Sequence, residues 1–251
     1  MRRPFVIGNW KMNTDRDGAV ALARAVASNA QDSPAEVAVC PPFPWIVSVA
    51  ESVDRNTLRV GAQDCSQNDD GAFTGDVSAA MLSTWCDLVL VGHSERRIVH
   101  GETDETVRAK LRAALGRDLH VVLCVGEQMQ DRMVGNAASI VTSQLQSAFA
   151  ASGDSEASGT VTIAYEPVWA IGTDAAATPE DASEMASVIR TWLREHDPAS
   201  AGTIRILYGG SVSDRNASEL MAVDQIDGLL VGSASLDAAI FGRIIAAASG
   251  S

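Results

Sequence analysis

Eight short apolar runs punctuate the 251-residue chain: "FVIG" (5–8), "VAVC" (37–40), "LRVGA" (58–62), "LVLVG" (88–92), "VVLCVG" (121–126), "VTIAYE" (161–166), "IRILYGG" (204–210) and "GLLVG" (228–232). The runs are near-continuous rather than alternating, which suits strands covered on both faces and therefore a parallel sheet. Stretches with helix punctuation lie between them. Thr178-Pro179 followed by Glu180 and Asp181 offers a cap, a first-turn proline and first-turn acids, and Met185, Ile189, Trp192 and Leu193 then recur at helical spacing. The segment from Thr103 to Leu115 repeats the pattern, with Val107, Leu111, Ala114 and Leu115 on one face. Strand and helix alternating eight times predict an α/β fold, a single-domain (β/α)8 barrel over residues 1–251. A doubly wound open sheet is the rival architecture, but "IGNWKMN" stands where such a sheet carries its glycine-rich dinucleotide turn.

Closed barrels reach this length as one unit, and the Ala/Ser/Gly-rich "AASGDSEASG" (150–159) is short enough to be a surface connection. The net charge of −13 argues against a nucleic-acid partner, because phosphate backbones require clustered Lys and Arg and here acids outnumber bases 32 to 19. An anionic substrate must likewise be held by local groups against the global field. Cys40, Cys65, Cys86 and Cys124 lack metal or CxxC spacing and read as small buried hydrophobes in a reducing compartment. "MRRPFVIGNW" has too short an apolar run for a signal peptide or membrane span, so the expected location is cytoplasmic, with no membrane partner.

In a barrel of this kind, function sits at the carboxyl ends of the strands. Read in order, those ends carry Asn9 and Lys11, Gln63, His93, Glu127, Glu166, Ser211 and Gly232. Glu166 leads into the apolar "PVWAI", a cover under which a carboxylate can act as a shielded base. A glutamate taken alone is more often a cap or an arginine partner; the "YEPVWAIGT" string is far more specific than one carboxylate. His93 precedes the polar helix start "SERR", where partial positive charge disfavours imidazolium and leaves a neutral ring able to donate to a carbonyl oxygen. Lys11, one of two lysines, is placed to offset a phosphate or a developing enolate, with Asn9 as an amide donor beside it. Glu95 is either Lys11's partner or simply an acid favoured in a first helical turn. "YGGSVS" and "LVGSASL" close the seventh and eighth strands ahead of segments that read as helices, so their backbone amides are candidate phosphate donors. Either turn alone is weak evidence; two after the last two strands match the phosphate site of this fold.

With these residues in place the chain resembles the triosephosphate isomerase family from end to end, on "GNWKMN", "GAQDCSQNDDGAFTGDVSA", "VGHSERR", "LCVGE", "YEPVWAIGT", "YGGSVS" and "VGSASL". Neutral-histidine electrophilic catalysis and lid closure are general properties of that family and come with the resemblance. The resemblance implies interconversion of dihydroxyacetone phosphate and glyceraldehyde 3-phosphate. By it, Glu166 moves a proton between adjacent carbons, His93 and Lys11 stabilise the enediolate oxygens, and Asn9 supports them. Gly172, Ser211, Gly232 and Ser233 would hold the phosphate through backbone amides, beneath a lid formed by the residues after Glu166. It also implies a homodimer through the loop 64–76, with Phe73, Thr74 and Gly75 at the tip reaching the partner near its first strand end.

Three positions depart from the family pattern. Asp64 stands where an uncharged amide is common, with a weaker or pH-sensitive dimer as the expectation. "DAAA" (174–177) follows the lid, with altered hinge closure as the expectation, and Ser233 replaces a common glycine. No cofactor or metal is expected, since no HExxH, DxDxDG or dinucleotide fingerprint is present. A phosphosugar aldolase would need a Schiff-base lysine at a strand end, where Lys110 does not fall. A non-catalytic barrel kept as a binding or scaffold protein would be expected to have lost Glu166, His93 or Lys11.

Overall fold

The computed structural model describes residues 2–150, 161–171 and 177–250. Its strands are β1 (Phe5–Asn9), β2 (Glu36–Cys40), β3 (Arg59–Ala62), β4 (Leu88–Val91), β5 (His120–Val125), β6 (Val161–Tyr165), β7 (Arg205–Tyr208) and β8 (Gly228–Val231). All pair in parallel with their sequence neighbours, and β8 returns to β1, so the sheet closes in the order β1 to β8. Each of the eight apolar runs supplies one strand. Most of "AASGDSEASG" lies outside the described residues.

Among the described residues the α-helices are α1 (Arg16–Ala30), α2 (Ile46–Ala50), α3 (Ala79–Leu82), α4 (Ser94–His100), α5 (Asp104–Leu115), α6 (Met129–Met133), α7 (Ala137–Phe149), α8 (Pro179–His196), α9 (Ala217–Met221) and α10 (Ala238–Ser249). The two starts anticipated from sequence are built as expected. Thr178 accepts from the Asp181 amide while the Asp181 carboxylate accepts from the Thr178 amide, a reciprocal cap completed by Pro179 in the first turn. Thr103 accepts from the Thr106 amide ahead of α5.

Alternate strand positions feed two separate apolar bodies, which is why the runs do not alternate in polarity. Phe5, Ile7, Leu88, Leu90, Val122 and Leu207 fill the lumen. Val6, Val89, Val121 and Ile163 face outward and pack against helix residues such as Leu111, Met185, Ile189 and Phe241. The lumen is tight enough that a Cβ on Gly61 would sit 2.7 Å from Cys40 Sγ and 2.8 Å from the Leu88 side chain. A filled lumen leaves polar chemistry only at the barrel's two mouths.

The segments after β7 and β8 differ from the simple helical expectation. Asn216 spends its side chain on a turn, accepting from the Ser213 amide and donating to the Ser211 carbonyl, so α9 starts only at Ala217. After β8 a 3-10 turn (Ser233–Leu236) intervenes, and Asp237 then caps α10 by accepting from the Ala239 and Ile240 amides.

Candidate active site

Asn9, Lys11, His93, Glu166, Ser211, Gly232 and Ser233 line one cavity of about 210 Å³ at the carboxyl ends of the strands. The barrel thus brings together residues drawn from the two ends and the middle of the chain. Gly172 and residues 174–176 lie outside the described residues. A larger cavity, about 720 Å³, opens elsewhere. Size does not select the site here, because it is the smaller of these two cavities that holds the Glu166 carboxylate, the His93 imidazole and Lys11 together.

Glu166 follows β6 directly and is 2% exposed. Its Oε2 accepts from the Ser94 amide at 2.9 Å, and its Oε1 lies 3.1 Å from His93 Nε2. His93 Nδ1 accepts from the Glu95 amide at 3.2 Å, so a neutral ring carries its proton on Nε2, on the side facing the carboxylate and the cavity. The helix start anticipated around "SERR" therefore acts through two specific amides: that of Glu95 sets the tautomer of a neutral His93 ring and that of Ser94 holds the Glu166 carboxylate.

Lys11 adopts a φ of +52°, a strained conformation for a side-chain-bearing residue. Three groups hold it there. Its amide donates to Asn9 Oδ1 at 3.0 Å, its carbonyl accepts from Gln63 Nε2 at 2.8 Å, and its ammonium contacts Glu95 at 2.6 Å. Burial pushes the Glu95 pKa up, but the hydrogen bond and charge of Lys11 outweigh it and hold the carboxyl below its usual value. The pairing of Glu95 with Lys11 is thus realised. Gln63, noted at its strand end without a role, supports the lysine backbone and also donates to the Cys40 carbonyl.

The amides of Ser211, Gly232 and Ser233 donate to no acceptor among the described residues, which leaves them available to an anion. Ser233 is not among the positive-φ residues, so the serine fits this turn without strain. The Cβ missing from Gly232 would point toward Lys11 Cε at 3.6 Å, so the ammonium stem borders the same space.

Glu127, fully buried, accepts from Tyr165 Oη at 3.1 Å and from Trp169 Nε1 at 2.8 Å. It anchors the first residues of the cover after Glu166. Cys124 is fully buried; burial first, and then the Glu166 charge, push its thiol well above the usual value, which disfavours the reactive thiolate.

Lys110, on α5, is buried beside the segments that follow β3 and β4, in a charged cluster that sequence spacing does not reveal. Its ammonium contacts Asp64 at 2.6 and 2.8 Å and Glu102 at 2.5 Å, and Arg96 contacts the same two carboxylates. The carboxyl of Asp64 is held above its usual value, because burial together with the Glu102 charge outweighs Lys110 and Arg96. For Glu102 the balance reverses: burial raises it, but Lys110 and Arg96 win. A raised folded-state pKa means that the stability contributed by Asp64 is full below the unfolded value near 3.8 and is lost as pH rises through the folded value. Asp64→Asn, neutral at every pH and still offering Lys110 an acceptor, is therefore expected to raise the thermal midpoint by a few degrees at about pH 7. The difference shrinks toward zero below the unfolded value. A lower midpoint at neutral pH would show that Lys110 requires the second charge.

A family model described as triosephosphate isomerase matches residues 4–248. The chain is 45% identical over 251 residues to a triosephosphate isomerase of Vibrio sp. (strain ANT-300), covering 99% of this chain and 100% of that protein. It is 45% identical over 256 residues to one of Mycobacterium avium (strain 104), with 99% and 98% covered. To one of Moorella thermoacetica (strain ATCC 39073 / JCM 9320) it is 45% identical over 249 residues, with 98% of each chain covered.

Proposed function

The chain belongs to the triosephosphate isomerase family, and we propose that it interconverts dihydroxyacetone phosphate and D-glyceraldehyde 3-phosphate in glycolysis and gluconeogenesis. The observation that carries this reading is the cavity shared by Glu166, His93 and Lys11 with three amides that have no acceptor among the described residues. The phosphate sits on the amides of Ser211, Gly232 and Ser233, with Gly172 as a fourth donor, and Lys11 offsets its charge. Glu166 leaves the Ser94 amide, takes a proton from the carbon beside the carbonyl and returns it to the neighbouring carbon. Between the two transfers the electron pair rests on an enediolate, and the hydroxyl proton passes from one of its oxygens to the other. His93 Nε2–H and the Lys11 ammonium stabilise its oxygens, while Asn9 fixes the Lys11 backbone and Glu95 its ammonium. The cover after Glu166 excludes water, which otherwise favours loss of phosphate from the enediolate.

The test is isomerisation of glyceraldehyde 3-phosphate by the purified protein. Turnover without added metal or cofactor supports the reading. A folded protein that binds a triose phosphate but does not turn it over would make the barrel a binding or scaffold protein instead.

We further propose that residues 1–251 form one domain that works as a cytoplasmic homodimer. Met12 is 95% exposed, Val99 72%, Ile98 56% and Phe73 47%, an unusual amount of apolar side chain for a face left to water. Met12 and Phe43 border a cavity of about 220 Å³ beside Lys11 and Glu95, of a size to receive the tip of a partner's loop 64–76. Sedimentation velocity at micromolar concentration is expected to give a dimer, and Phe73→Asp to shift it toward monomer. A parent protein that sediments as a monomer sinks the proposal.

A further inference from the structure

The cavity of about 720 Å³ lies at the amino-terminal ends of the strands, on the barrel face opposite the isomerase site, and the reaction makes no use of it. Its volume falls in the range of small-molecule pockets. Arg2 and Arg3, the starts of β6 and β7, and the segment before β8 form its wall. In a chain of net charge −13 this mouth is locally cationic. Two carboxylates each bridge two arginines there: Glu36 serves Arg59 and Arg205, and Asp227 serves Arg2 and Arg190. Arg3 has no carboxylate partner among the described residues and donates to the Pro34 and Ala35 carbonyls instead. Asp224, at the rim, is the remaining acid in the wall. His120 adds no negative charge; its Nε2 lies 2.8 Å from Thr162 Oγ1.

The arginines are not used up by these contacts. Among the described residues Arg205 donates through Nη1, to Glu36 at 2.6 Å, while its guanidinium lies over the Phe5 ring at 4.2 Å from the centroid. Its Nε and Nη2 take no acceptor among the described residues, and neither atom is sealed from solvent. Arg3 likewise keeps Nη1 in reserve. A cluster that only tied the base of the barrel together would leave no reason for a guanidinium fixed by ring stacking and one ion pair to line a roomy cavity with two nitrogens unpaired among the described residues. Such a pair of nitrogens matches two oxygens of one oxyanion.

We propose that this cavity is a second ligand site, in which Arg205 and Arg3 hold the phosphate or carboxylate group of a small anionic metabolite. The site is independent of the isomerase site and does not rest on the proposed activity.

The test follows backbone amides by transverse-relaxation-optimised NMR of the full chain while inorganic phosphate or, separately, citrate is added. The amides of Thr203 and Gln225 at the base are expected to shift along a saturating curve of their own, distinct from that of Ser211 and Ser233 at the other mouth. Arg205→Lys keeps the charge and the Glu36 pair but removes the fork, and is expected to weaken binding at the base about tenfold or more, leaving the other curve unchanged. Arg3→Ser, at an exposed position, is expected to weaken the base curve as well and serves if the Arg205 variant fails to fold. A response to phosphate alone assigns a phosphate ester, and a response to citrate alone a carboxylate. Base amides that respond to neither anion, or that respond equally in the parent and both variants, overturn the proposal.

Discussion

Glu166→Asp is expected to lower kcat by about a hundredfold or more while KM stays within a few-fold of the parent. The substitution keeps the charge and withdraws it by one carbon–carbon bond, about 1.5 Å. Proton transfer requires the base within hydrogen-bonding reach of the carbon's proton, and a displacement of this size removes most of the advantage of pre-positioning. The amides of Ser211, Gly232 and Ser233, proposed to hold the phosphate, lie on other loops and are untouched, so substrate is expected still to bind. In the free protein the shortened side chain also loses its fit to the Ser94 amide and to His93 Nε2, now 2.9 and 3.1 Å away. Steady-state kinetics in both directions check this. A variant within a few-fold of the parent kcat would mean that the proton is moved by another group.

The strands were legible because a parallel barrel buries both faces of each, leaving runs such as "LVLVG" and "VVLCVG" with no competing periodicity. Thr103 and Thr178 were legible for the opposite reason, since a cap depends on residues three apart in the chain. The strand-end residues Asn9, Lys11, His93 and Glu166 followed once the barrel was assumed. Roles set by contacts between distant segments did not follow. The Ser94 amide holds the Glu166 carboxylate 72 residues away, and Lys110 meets Asp64 across 46 residues. Gln63 could be noted but not assigned, because its partner is a carbonyl made available by the unusual φ of Lys11. The cationic mouth at the other end is equally hidden: Glu36 meets Arg205, and Arg3 lines the same cavity as Arg205, only because β1, β2 and β7 begin at one end of a closed sheet.

Gly126→Ala is expected to lower stability by about 1–3 kcal/mol or more and to reduce kcat about a hundredfold, although Gly126 touches no substrate. A Cβ there would lie 1.7 Å from the Glu166 carbonyl oxygen and 2.7 Å from its carbonyl carbon. Those are main-chain atoms, so no side chain can swing aside. The glycine itself is fixed from behind, its amide donating to Gln144 Oε1 at 2.8 Å and its carbonyl accepting from Gln144 Nε2 at 3.1 Å. The strain must therefore open the seam between β5 and β6, where the Glu166 amide donates to the Val125 carbonyl at 2.8 Å. Moving that amide moves the base. Gly202→Ala is the control: an added Cβ meets nothing within 4 Å, and the change is expected to stay within about 0.5 kcal/mol. Thermal melts and kinetics of both variants separate the possibilities. Lost stability with unchanged kcat would show that the Ser94 and His93 contacts alone place the carboxylate; a joint loss would show that the main-chain seam beneath Glu166 positions the base.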